Sequence, residues 1–146
     1  YILMNLGLFS CLLMMKRNDQ YYESINDLSG LSKNHPLLSL SFLIILFSLA
    51  GIPPLAGFFA KFYIFKAVIE QSMFFLAIVG LLSTVVAAFY YLRIIKIIYF
   101  DEEKESYDTD HSMWLKFSLT ASTILILIYF IFPSQLIDVV SLINII

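Results

Sequence analysis

The amino-acid sequence predicts an all-α fold: an integral membrane helical bundle with a partial first helix and three spans, one of them broken by prolines. Of the 146 residues, 60% are hydrophobic and 14% are charged. Soluble domains are about half apolar and about a quarter charged. Residues 34–60, 71–92 and 117–137 contain no Asp, Glu, Lys or Arg. Each run reaches the roughly 20 residues that a helix needs to cross a membrane.

The whole chain is predicted to be a single membrane domain, and its elements follow from hydrophobic runs and turn signals. The predicted elements are a partial helix at about 1–15, spans at about 36–70 (broken at 51–54), 72–99 and 113–132, and a surface helix at about 134–146. The first run is too short for a full crossing. The last is amphipathic, because polar residues recur there at helical spacing.

Two polar segments connect these elements. Residues 16–35 are rich in Asn, Asp, Ser and Gly, which is typical of a loop, and residues 101–110 are highly charged. Seven of the nine basic residues occupy or flank these two segments. Because basic residues mark the cytoplasmic or matrix side of a membrane protein, both segments are predicted to lie on the same face.

The span at 36–70 contains an unusual interruption. Two consecutive prolines, Pro53 and Pro54, each remove a backbone donor and clash with the preceding turn. We therefore predict a non-helical joint within about two residues of Pro53, with Gly51, Pro53, Pro54 and Gly57 as the hinge. In lipid, the freed backbone groups need protein or a water-filled cavity to satisfy them. The alternative is a kink that serves packing only.

Lys61 lies seven residues beyond Pro54 with apolar neighbours on both sides. A lysine near the middle of the bilayer costs roughly 3 kcal/mol, so such residues usually face an internal cavity and serve a transport path. We predict that Lys61 lines a hydrated path and relays protons, and that replacing it costs little stability. The alternative is that Lys61 lies near the interface and extends to the headgroups, as expected for Lys66.

Other site chemistry is not expected in this chain. Cys11 is the single cysteine, and His35 and His111 are far apart without cysteine partners. The sequence therefore predicts no disulfide and no metal site. Lipid is an expected partner and nucleic acid is not.

The segment SLAGIPPLAGFFAKFYIF at residues 48–65 resembles the broken-helix signature of the antiporter-like subunits of respiratory complex I, the proton-pumping NADH:quinone oxidoreductase. NLGLFS at 5–10, DLSGLSKNHP at 27–36 and YYLRIIKIIYF at 90–100 extend the resemblance in the order found in subunit 2, called subunit N in bacteria. Multisubunit sodium/proton antiporters share the GIPP and GF-x-x-K elements. Phe62 and Tyr63 after the lysine, with the YYLR helix end, favour subunit 2.

This resemblance implies that the chain is the C-terminal part of a 14-helix subunit, and that Lys61 is its broken-helix proton-channel lysine. The other channel residues of the family lie upstream, so the resemblance implies a separate chain with the earlier helices, or a truncated sequence. Residues 1–15 are then expected to pack against helices of that chain. Other membrane-arm subunits are further implied partners. FMN, iron–sulfur clusters and quinone are implied in other subunits, so this chain has no redox centre of its own.

The expected function is that of a proton-translocating membrane-arm subunit of NADH:quinone oxidoreductase. A sodium/proton antiporter subunit and a purely structural membrane subunit are the alternatives. The expected location is multi-pass in a membrane. The abundance of Ile, Phe, Tyr, Lys and Asn favours the mitochondrial inner membrane over the bacterial plasma membrane.

Overall fold

The computed structural model describes residues 1–17, 20–21, 24–102 and 112–131. Its elements are helices α1 (Ile2–Leu13), α2 (Leu31–Asn34), α3 (Pro36–Ala50), α4 (Ala56–Glu70), α5 (Phe74–Phe100) and α6 (Met113–Ile131), strands β1 (Lys16–Arg17) and β2 (Gln20–Tyr21), and a 3₁₀ turn (Ile25–Leu28). The all-α prediction is confirmed, because two-residue strands paired antiparallel are the sole sheet in these ranges. The predicted surface helix at 134–146, residues 103–110 and His111 lie outside the described residues.

The helix bounds fit the predicted bundle of a partial first helix and three spans, one of them broken by prolines. Among the described helices, α5 is the one that is long and apolar enough to cross a membrane by itself. Helices α1 and α3 and residues 113–129 of α6 are apolar but shorter. Helices α3 and α4 are short because the proline break divides 36–70 into two helices of 15 residues each. Each half is shorter than the roughly 20 residues of a full crossing.

The predicted loop at 16–35 contains more structure than its composition suggests. The Ser24 hydroxyl accepts a hydrogen bond from the Asn26 N–H at 3.3 Å, and the Ser24 N–H donates to the Asp27 carboxylate at 3.2 Å. This capping box begins the 3₁₀ turn. Gly30 then adopts a left-handed conformation, with φ 65°, and α2 follows.

Helix α3 occupies the centre of the bundle. Eight of its 15 residues are buried, and its side chains Phe42, Ile45 and Leu46 are almost fully enclosed. Helices α1, α5 and α6 pack around it. The close approach of α1 depends on Gly7, because a Cβ there would lie 2.8 Å from Cδ1 of Ile45 and 3.0 Å from Cβ of Ser122 in α6.

The loop before α3 contacts the end of α5. The Gly30 N–H donates to the Ile97 carbonyl at 3.1 Å, and the Ser29 hydroxyl donates to the Glu102 carbonyl at 2.6 Å. This loop and the C-terminal end of α5 therefore lie at the same end of the bundle. That residues 16–35 and 101–110 lie on the same face of the membrane stays a prediction.

Candidate functional site at the broken helix

The interruption between α3 and α4 lies where the double proline predicts it. Helix α3 ends at Ala50 and α4 begins at Ala56. Gly51 has φ 83° and ψ 34°, the left-handed conformation in which glycine commonly ends a helix. Pro53 and Pro54 are exposed in the joint. The bundle therefore contains a helix C-terminus and a helix N-terminus close together in an apolar stretch of sequence.

The last four carbonyl groups of a helix receive no hydrogen bond from an N–H of the same helix, so they need other donors. The Phe47 carbonyl accepts from the Ile52 N–H at 3.1 Å, and the Ser48 carbonyl accepts from the Gly51 N–H at 3.0 Å. These two bonds form a Schellman motif, the usual arrangement after a left-handed glycine. Two terminal carbonyls of α3, those of Leu49 and Ala50, remain.

Lys61 supplies the donors for both remaining carbonyls. Its Nζ lies 2.9 Å from the Leu49 carbonyl oxygen and 3.1 Å from the Ala50 carbonyl oxygen. The side chain reaches them by passing beside Gly51, where a Cβ would lie 3.0 Å from Cδ of Lys61. The C-terminal end of a helix carries partial negative charge, so it stabilises a cation there.

The surroundings of Lys61 differ from those of Lys66, one turn further along α4. Lys66 extends outward, with 56% of its side chain exposed, and lies 3.8 Å from the Glu70 carboxylate. Lys61 is partly buried, and within the described residues no carboxylate pairs with it. An ammonium group has three N–H donors, and the backbone carbonyls take two of them. One N–H of Lys61 is left for water or for a group outside the described contacts.

Two of the predicted hinge residues, Gly51 and Gly57, lie at the contact between α3 and α4, and they have different roles. Gly51 ends α3, as described above. Gly57 lies inside α4 and not in the joint. A Cβ on Gly57 would overlap the carbonyl oxygen of Ser48, so this glycine allows the two half-helices to touch. The Gly57 N–H also donates to the Ser48 hydroxyl at 3.1 Å.

Ser48 is the residue of this site that the sequence did not single out. It is fully buried, and its hydroxyl group donates to Sδ of Met4 in α1 at 3.0 Å. Serine hydroxyls within helices commonly bond to a carbonyl of their own helix, as Ser39 does to His35 at 3.0 Å. The available signal was its position, in the last turn before a predicted break.

A comparison with protein families covers this site. Residues 1–87, which include the whole of α3 and α4 with Lys61, match the family model described as NADH:quinone oxidoreductase/Mrp antiporter, TM. This match spans more than half of the 146 residues. The chain belongs to the NADH:quinone oxidoreductase/Mrp antiporter transmembrane family. Its members are therefore the proper reference for the broken helix.

Individual members of this family cover the rest of the chain. The NADH-quinone oxidoreductase subunit N of Pelagibacter ubique is 82% identical over the whole chain, which corresponds to 31% of that protein. Subunit N of Rhodospirillum rubrum is 46% identical over 94% of the chain and 28% of its own length. The chain thus spans about 30% of the length of these relatives.

A solved structure shows the same fold. A chain in the structure of respiratory complex I from Thermus thermophilus with bound aureothin has a TM-score of 0.71 and 26% sequence identity, covering 90% of this chain and 31% of that one. The resemblance to subunit N is therefore confirmed. Because these relatives come from bacteria, the findings favour the bacterial plasma membrane and give no support to the mitochondrial inner membrane.

Proposed function

We propose that this chain is the C-terminal part of a proton-translocating membrane-arm subunit of NADH:quinone oxidoreductase in a bacterial plasma membrane, and that Lys61 relays protons at the helix break. The observation that carries this proposal is the contact of the Lys61 Nζ with two backbone carbonyls, at 2.9 and 3.1 Å, where the helix is interrupted. The similarity to subunit N supports the link to NADH oxidation.

The chemistry of this contact suits a group that changes its charge. Backbone carbonyls accept hydrogen bonds but do not take up the proton, so they stabilise the ammonium form of Lys61 without neutralising it. Loss of the proton through the third N–H leaves an amine that binds the helix end less strongly. The protonation of Lys61 therefore changes the attraction between α4 and the end of α3.

The remaining parts of the path are proposed to lie elsewhere in the complex. Within the described residues, Lys61 has no titratable partner that can receive its proton. We assign this role to the other helices of the subunit, whether or not they belong to a separate chain, and to neighbouring membrane-arm subunits. Electron transfer by FMN, iron–sulfur clusters and quinone is likewise assigned to other subunits.

A structural role for Lys61 is the second candidate, because the same two hydrogen bonds stabilise the end of α3. Two substitutions separate the roles. Lys61→Ala removes both the proton and the hydrogen bonds, whereas Lys61→Arg keeps a cationic donor that holds its proton across the physiological range. A relay fails in both variants, and a purely structural contact survives in Lys61→Arg.

The test measures protons pumped per NADH oxidised in membranes with equal amounts of assembled complex. We expect Lys61→Ala and Lys61→Arg each to lower this ratio to less than about half, because a relay needs a side chain that titrates. Lys66→Ala is the matched control and should pump normally. Normal pumping in Lys61→Arg would contradict the relay. A separate test concerns the complex: if the purified chain lacks partners that carry flavin and iron–sulfur clusters, a sodium/proton antiporter is favoured.

A further inference from the structure

We propose that Ser48 is a positioning residue for Lys61, an inference that rests on the relay function proposed above. Ser48 lies in the last turn of α3 and is fully buried, and its hydroxyl group joins three helices. The hydroxyl accepts a hydrogen bond from the Gly57 N–H of α4 at 3.1 Å and donates one to Sδ of Met4 in α1 at 3.0 Å.

The hydroxyl of Ser48 replaces a cap that α4 lacks. The first N–H groups of a helix have no acceptor within that helix, and the residue before α4, Leu55, has no side chain that accepts a hydrogen bond. Ser48 provides this acceptor from the other half of the broken helix. Without it, a buried N–H of Gly57 would have no described partner, which is unfavourable in an environment without water.

The contact between Ser48 and Gly57 also determines where Lys61 lies. Gly57 and Lys61 are four residues apart, so they share one face of α4. On that face Gly57 touches Ser48, and one turn later Lys61 reaches the carbonyls of the next two residues of α3. A shift of α4 by one residue would turn this face by about 100° and move the Nζ away from both carbonyls.

A second serine of α3 provides a matched control. Ser39 is as fully buried as Ser48, but its hydroxyl donates to the carbonyl of His35, one turn earlier on the same chain. Removing the Ser39 hydroxyl therefore takes no acceptor away from α4. The Ser48 hydroxyl connects α3 to α1 and α4, whereas the Ser39 hydroxyl bonds to the chain just before α3. The two side chains are equally buried and chemically identical.

The experiment compares Ser48→Ala and Ser39→Ala in the assembled complex. Protons pumped per NADH oxidised are measured over a range of pH, with the amount of complex held equal. In Ser48→Ala we expect a loss of roughly fivefold, the order of one positioning hydrogen bond, and a changed shape of the pH profile. A merely structural loss lowers the profile without changing its shape. Ser39→Ala should match the unmodified complex.

Each outcome distinguishes this proposal from the relay itself. Normal pumping in Ser48→Ala, or a profile lowered uniformly, overturns the positioning role. If Lys61→Ala and Lys61→Arg lose pumping in that case, the relay by Lys61 stands without a positioning role for Ser48. Full pumping in both Lys61 variants overturns both proposals. Should Ser48→Ala fail to assemble, Ser48→Cys fills similar space with a weaker donor and acceptor, and the same criteria apply to it.

Discussion

The broken helix and the continuous helix α5 differ in where their backbone polar groups find partners. Helix α5 is a continuous run of 27 residues, four of them buried, and its Ser and Thr hydroxyls bond within the same helix: Ser83 donates to the Gly80 carbonyl and Thr84 to the Leu81 carbonyl, both at 2.7 Å. At the break between α3 and α4, some partners come from the other half of the broken helix: Ser48 accepts from the Gly57 N–H, and Lys61 donates to the Leu49 and Ala50 carbonyls.

This difference shows two ways in which a membrane chain can satisfy its backbone polar groups where there is no water. A continuous helix satisfies its own groups and is free to face lipid on most sides. An interrupted helix depends on specific side chains, so single substitutions there should have larger effects than equivalent substitutions in α5. Each of the following substitutions tests that expectation.

The largest effect is expected for Gly57→Ala. The added Cβ would overlap the Ser48 carbonyl oxygen, which belongs to the backbone and has little freedom to move. Separation of α4 from α3 should then cost about 3 kcal/mol or more. Measurements of the yield and thermal half-life of the assembled complex would detect this loss.

Gly80→Ala in α5 is the control for that substitution. A Cβ at Gly80 would lie 2.8 Å from Cε1 of Phe65, the far end of a side chain that can rotate away. We expect this variant to be clearly more stable than Gly57→Ala. Equal losses would mean that the break is no more sensitive than the continuous helix.

An intermediate effect is expected for Gly51→Ala. At φ 83° a side chain is strained by roughly 1–2 kcal/mol, and the new Cβ would lie 3.0 Å from Cδ of Lys61. The variant should therefore lose stability and also lower pumping per NADH oxidised. Pumping that stays normal while the melting temperature falls would show that the cap and the lysine are independent.

The smallest effect is expected for Ser83→Ala in the continuous helix. Its exposed hydroxyl donates to a carbonyl of its own helix, so its removal should change stability by no more than about 0.5 kcal/mol. Thermal unfolding of the assembled complex measures this directly. A loss of stability as large as that of Gly51→Ala would remove the distinction between the two regions.

The sequence predicts the location of the break but not the contacts that stabilise it. Pro53 and Pro54 determine the break locally, because their effect on backbone donors does not depend on the rest of the fold. The contacts of Lys61 and Ser48 depend on how α4 packs on α3, which no local pattern encodes. The expectation that replacing Lys61 costs little stability changes for the same reason, since the Leu49 and Ala50 carbonyls would lose their donors.

The loop at 16–35 shows the opposite case, in which a local signal was present. Ser24 and Asp27 are spaced as in a capping box, so the turn between them was open to prediction from the sequence. The contact of this loop with α5 could not be predicted from the sequence, because Gly30 and Ile97 are far apart in the chain.

The contact of Lys61 with the end of α3 also bears on ion selectivity. Carbonyls at the end of an unwound half-helix can coordinate Na⁺ in transporters. Here the Leu49 and Ala50 oxygens already converge on a cation that is covalently attached to the chain. While Lys61 is charged, a free metal cation meets both an occupied position and electrostatic repulsion. If Lys61 is the relay proposed above, the positive charge at these carbonyls arrives and leaves as a proton.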